Sequence, residues 1–186
     1  MTWFAVDIES NGAAPGLFSM TSFGAVAVRP GLTDTFYREL KPLPDAGCNP
    51  DALAVAGMSM EYLEENGQDP IQAMTEFSVW LAETSIHRPT LVSDNNSFDG
   101  SFITYYFALA KLDNPFGHSS RRIGDLWAGF KSDSRKHTDW KSLRTGVHDH
   151  NALNDAKGNG GALLKMAEMG LHIPECPKGE NDEARS

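Results

Sequence analysis

Thr2-Trp3-Phe4-Ala5-Val6-Asp7-Ile8 opens the chain as an apolar run rich in β-formers and bearing a carboxylate near its end. It reads as a buried strand. Side chains two apart on a strand share a face, so Asp7 and Glu9 converge on one spot where this strand finishes. Ser10–Gly16 (SNGAAPG) follows as a turn-rich loop. Ser19–Val28 (SMTSFGAVAV) reads as a second strand closed by Pro30-Gly31, and Thr33–Lys41 as a third with one wetter face. Three strands on short connections predict an antiparallel meander.

Beyond the meander the period changes from two to that of a helix. Pro42–Pro50 is a Pro/Gly loop, and Asp51–Ala56 reads as one short helix. Pro70–His87 carries Ile71, Met74, Phe77 and Leu81 at helical spacing, with Pro70 near its start. Thr90–Ser93 is a short buried strand, Phe98–Leu112 an apolar helix, and Asn151–Met169 the last strong helix, with Gly170 as its stop. The order predicts an α/β fold, a mixed central sheet flanked by helices. Residues 1–173 make a single domain in this reading, and 174–186 a polar, frayed tail.

The 186 residues are 40% hydrophobic and 22% charged, a composition that supports one well-filled core. A net charge of −9 argues against a protein that coats polyanions. No apolar run is long enough to span a membrane and no secretory signal is visible, so no membrane partner is expected and a cytoplasmic location is. Cys48 and Cys176 follow no CxxC spacing, which removes zinc ribbons and disulfide scaffolds.

Three short segments carry acids where chemistry could use them. Asp7 and Glu9 repel one another unless a cation neutralises them, although a solvated strand end would also tolerate the pair. Asp99, in Ser93–Asp99 (SDNNSFD), falls in the first turn of an apolar helix, where an acid also complements the helix dipole. In His150–Ala156 (HNALNDA), His150 precedes the last helix and Asp155 lies on its first or second turn. His148 stands beside it in HDH, so a lone histidine decides little.

Together the segments resemble the DnaQ-like, DEDDh family of 3′→5′ exonucleases, of the RNase H-like superfamily. The resemblance rests on Asp7/Glu9, on Ser97-Phe98-Asp99 and on the HxAxxDA run from His150 to Ala156, in the family's order. Ser22-Phe23-Gly24-Ala25-Val26 and the stretch from Asn49-Pro50-Asp51-Ala52 to Val55-Ala56-Gly57-Met58-Ser59 add to it, the latter resembling PxA…VxGxT. A histidine five residues before the last aspartate points to the DEDDh subgroup. The resemblance implies metal-dependent hydrolysis at the 3′ end of single-stranded DNA or RNA, releasing nucleoside 5′-monophosphates. Two divalent ions roughly 4 Å apart can neutralise the phosphate, activate water and stabilise the leaving oxygen. Hard carboxylate oxygens suit Mg²⁺ or Mn²⁺. By resemblance Asp7, Glu9, Asp99 and Asp155 hold these ions, and His150 is the general base for the attacking water. Two departures stand out: Asp94 where relatives carry histidine, and Ala56 where they often do.

For the nucleic acid itself, the resemblance places Ser10, Asn11 and Gly12 along the terminal nucleotide, with Gly12 and Gly16 permitting close approach. Met58 and Phe102 are candidates to wedge against the last base. Residues 121–144 hold seven basic and three acidic side chains, +4 inside a −9 protein, with Trp127, Phe130, His137 and Trp140 interleaved. Arg121, Arg122 and Lys141 could contact phosphates and the rings could stack on bases; equally, the aromatics could be core and the charges a solvated face. Many relatives pair, so a homodimer is carried as an assembly. Two other functions stay open: degradation of very short oligonucleotides, which suits an acidic surface, and a catalytically idle nucleic-acid-binding module.

Overall fold

The computed structural model describes residues 1–55 and 57–176. Ala56 and residues 177–186 of the polar tail lie outside the described residues. Strands β1 (Thr2–Ser10), β2 (Met20–Ala27) and β3 (Thr35–Glu39) form the expected antiparallel meander. Helices α1 (Pro50–Val55), α2 (Met60–Asn66) and α3 (Pro70–Thr84) carry the chain across to β4 (Pro89–Ser93), which pairs parallel to β1. After α4 (Asn96–Leu109), a two-residue strand β5 (Arg121–Arg122) pairs parallel to β4, completing the sheet order β3-β2-β1-β4-β5. Helix α5 (Ile123–Phe130), two short 3₁₀ turns and α6 (Ala152–Glu168) end the fold.

The alternation of β1 sorts the molecule into layers. Phe4, Val6 and Ile8 face one way, into a core with Met74, Phe77 and Leu81 of α3 and Phe102, Ile103 and Phe107 of α4. Trp3 and Ala5 face the other way, into a core with Trp127 of α5 and Ala156, Leu163 and Met166 of α6. Asp7 and Glu9 continue this second register, so the acids end the face that α6 covers. Because β1 and β4 are parallel, their carboxyl ends lie at one edge of the sheet, where open α/β sheets bind ligands.

Several boundaries differ from the sequence reading for local reasons. Helix α3 stops at Thr84 instead of His87, since the Ile86 and His87 amides each donate to the Thr2 hydroxyl at 3.0 Å as the chain turns into β4. Helix α4 ends at Leu109, before Leu112, and Lys111 turns the chain with a φ of +57°. Helix α2 was not expected; Ser59 caps it by accepting from the Tyr62 amide at 3.1 Å, and Leu63 alone is buried. The aromatics of 121–144 correct the stacking expectation. Trp140 is fully buried, Trp127 is 6% exposed and Phe130 packs against their cluster, so the tryptophans build core instead of a base platform. At the start of the tail the Thr2 hydroxyl donates to Glu175 at 2.6 Å and Arg29 lies 3.4 Å from its carboxylate. Among the described residues, no helix is long and apolar enough to cross a membrane.

Candidate active site

Opposite Asp7 in the sheet register stands Gly24. A Cβ there would lie 2.5 Å from the backbone of Leu153 and 2.6 Å from that of Ala152, so the bare glycine lets the first turn of α6 press onto β2. Asn151 caps that turn, its side-chain oxygen accepting from the Leu153 and Asn154 amides at 3.1 Å. One residue later comes Asp155, 3% exposed. Acidic oxygens of Asp7, Glu9 and Asp155 thereby lie within 4.8 Å of one another. Asp99, 4% exposed in the first turn of α4, joins them from the β4 edge.

The charges register their closeness. Loss of solvent, then the charges of Asp99, Asp155 and Glu9, hold the Asp7 carboxyl well above the usual carboxylate range; the Arg144 guanidinium opposes them. Burial, with Asp155 and Asp99, pushes Glu9 up to about 7. Asp99 also rises to about 7, chiefly through burial. Among the described residues, Asp155 Oδ2 is buried without a partner. Carboxyls that bind protons this tightly, and a buried oxygen with nothing to accept, make a donor set that a hard divalent cation fits.

His150 sits at the mouth of this cluster in a left-handed conformation, φ +58°, with Nδ1 3.9 Å from Glu9 Oε1. The unexpected neighbour is His148. Its Nδ1 lies 2.7 Å from Asp155 Oδ1, closer to an acid than His150 is. Arg144 was read only as one of a basic run; it is 16% exposed, donates to Asn159 on α6 at 2.9 Å and to Asp94 beyond β4 at 3.1 Å, and lies over the Trp140 ring. The acid standing where relatives carry histidine was the available signal, because a half-buried carboxylate beside an acidic cluster requires a cation.

The remaining predicted contacts are distributed unevenly. Met58 is half-buried and lines, with His150, Tyr37, Glu39 and Tyr62, a cleft of about 570 Å³. Ser10 donates to the Gly12 carbonyl at 2.6 Å, and the fully buried Asn11 accepts from the Ser19 amide at 2.7 Å, so both side chains shape the loop. The Phe18 ring fills the space beside Gly12, and Tyr105 borders Gly16. Phe102 is fully buried, edge-on to Phe98 at 5.1 Å; it has no free face for a base, which corrects its expected role as a wedge. Arg121 lies over Trp3, Arg122 pairs with Asp125 at 3.1 Å, and Lys141 pairs with Asp94 at 2.8 Å.

A β3-β2-β1-β4-β5 sheet with antiparallel and parallel pairs, flanked by helices and carrying acids at its carboxyl edge, is the RNase H-like fold. No protein-family model matches the chain. The 3′–5′ DNA exonuclease Cap18 of Escherichia coli is 36% identical over 166 residues, covering 82% of this chain and 84% of its own. The nuclease domain of 3′hExo, a DEDDh family member solved with rAMP, superposes with a TM-score of 0.75 at 15% identity, over 95% of this chain and 94% of that one. Escherichia coli ExoI, solved as a zinc-bound complex with single-stranded DNA, gives 0.69 at 16% identity over 90% of this chain and 40% of its own. The chain belongs to the DEDDh family of 3′–5′ exonucleases.

Proposed function

We propose that the protein removes nucleoside 5′-monophosphates from the 3′ end of single-stranded DNA, with two Mg²⁺ or Mn²⁺ ions held by Asp7, Glu9, Asp99 and Asp155. The observation that carries this is the gathering of Asp7, Glu9 and Asp155 oxygens within 4.8 Å of one another, with Asp99 beside them, where burial and mutual charge hold Asp7, Glu9 and Asp99 above the usual carboxylate range. Bound divalent ions would supply neutralisation of the scissile phosphate and acidification of the attacking water. The protein's own groups do the rest. His150, exposed at the mouth and backed by Glu9, accepts the water's proton on a ring nitrogen. Met58 borders the terminal base from the cleft it shares with His150. The loop Ser10–Gly12 offers its backbone to the terminal nucleotide, its side chains being spent on the loop itself. Arg121, Arg122 and Lys141 contact phosphates only by exchanging the partners they hold. DNA is favoured because the 36% identical relative is a DNA exonuclease.

A second reading, very short oligonucleotides, is supported by the net charge of −9 and by the pairing of Arg122 with Asp125 and of Lys141 with Asp94. Matched 5′-labelled DNA and RNA of two lengths, each ending in a 3′-hydroxyl or a 3′-phosphate, separate these readings. A ladder shrinking from the 3′ end of long DNA, blocked by the phosphate, is expected. Cleavage confined to the short substrates establishes the second reading; binding to either length without products contradicts both.

A further inference from the structure

His148 touches the acid cluster at Asp155 and has no part in the hydrolysis proposed above. It lies on an exposed loop two residues before His150, the two rings 4.6 Å apart and inclined at 52°. One donor atom from each of His148, His150 and Asp155 lies within 4.8 Å of the others. Asp155 is shared, for it also completes the Asp7–Glu9 group within the same limit. Its buried Oδ2 lacks a partner while Oδ1 meets His148 at 2.7 Å. The His148 and His150 side chains are 49% and 42% exposed, so an ion reaches them without opening the core.

From this geometry we propose that His148, His150 and Asp155 form a second metal site, for a borderline-soft transition-metal ion such as Zn²⁺, whose occupation switches the acid cluster off. Two imidazole nitrogens and one carboxylate are a donor set that zinc accepts readily and Mg²⁺, which keeps to oxygen, does not. Zinc–ligand bonds of about 2.0–2.2 Å require donors roughly 3.3 Å apart, so the exposed loop need close by at most about 1.5 Å. The ion takes the place of the proton between His148 and Asp155, and the imidazole then carries its proton on Nε2. Asp155 is thereby withdrawn from Asp7 and Glu9, and the bound nitrogen of His150 has no lone pair for a proton. This inhibitory consequence rests on the roles proposed above for His150 and Asp155; the binding itself does not.

The test is a calorimetric Zn²⁺ titration of the metal-stripped full chain in excess Mg²⁺, for wild type, His148→Ala and Asp7→Asn. Zn²⁺ affinity is expected to fall about 10- to 100-fold in His148→Ala, the usual cost of losing a metal-site partner, and less than about threefold in Asp7→Asn. In a strand-shortening assay, the Zn²⁺ concentration that halves each protein's own zinc-free rate should rise by the same factor in His148→Ala. His148-dependent binding in a chain that cleaves nothing upholds the site and removes the proposed function instead. Equal Zn²⁺ affinity in wild type and His148→Ala, or a loss that follows Asp7→Asn, places the ion in the acid group and overturns the proposal.

Discussion

Replacing Gly24 with alanine tests whether the approach of α6 to β2 sets the geometry of the site. The added Cβ would lie 2.5 Å from the Leu153 backbone, where ordinary contact begins at 3.4 Å, and backbone cannot swing aside as a side chain can. The first turn of α6 must therefore retreat by about 1 Å, carrying Asp155 and His150 away from Asp7. Misplacing reacting groups by about 1 Å costs on the order of 100-fold in rate. Overpacking of this kind also costs about 1–3 kcal/mol, which lowers the melting temperature of a domain this size by roughly 3–10 °C. The assay is kcat on a 3′-hydroxyl oligonucleotide at 20 °C, with circular dichroism confirming that the variant is folded. A Gly24→Ala protein that is folded and cleaves within about twofold of wild type refutes the reasoning, because the helix would then have moved without consequence, or not at all.

Three further outcomes follow. Glu9 and Asp99 rise from 4.5 and 3.8 to about 7 on folding, so the folded state binds protons more tightly than the unfolded chain. Their stabilisation is present below about pH 4 and is lost as pH rises through about 7; Glu9 alone contributes about 2 kcal/mol after allowance for screening. The metal-free melting temperature should fall between pH 5 and 8, less steeply in Glu9→Gln, and a rise over that window contradicts the burial argument. His150→Ala should lower kcat by about 100- to 10,000-fold while the melting temperature stays within about 2 °C, its side chain being exposed; thermal melts and single-turnover rates together check this. Arg144→Met leaves Asp94 with Lys141 as its remaining cation and should destabilise the fold by about 2 kcal/mol in urea titration, an unchanged midpoint counting against a structural role for the Arg144–Asp94 pair.

The meander and the acid pair were legible because β1 is a continuous apolar run, buried on both faces, that ends in carboxylates two apart on one face. Asp155 was placed beside them by the resemblance of His150–Ala156 to the family's HxAxxDA run, at the start of the last strong helix. What escaped the sequence were features set by tertiary neighbours. Helix α2 buries one leucine among glutamates, too little periodicity to announce it. Strand β5 is two arginines whose pairing depends on β4 being adjacent. Trp127 and Trp140 stand among basic residues, and only the position of α6 tells whether such rings face core or solvent. Phe102 follows Asp99 by three residues, yet their environments differ: the carboxyl meets the sheet edge and the ring enters the core between α4 and the strands. His148 and His150 could not be ranked from HDH, because the left-handed turn at His150 decides where each ring points.

The most direct measurement is a time course on 5′-labelled single-stranded DNA with Mg²⁺, Mn²⁺ or EDTA, for wild type and Asp155→Asn. A ladder shortening from the 3′ end with either metal, absent in EDTA and in the variant, is the predicted result. Shortening that persists in EDTA, or in Asp155→Asn at close to the wild-type rate, would contradict the claim that these carboxylates gather to hold the ions that cleave.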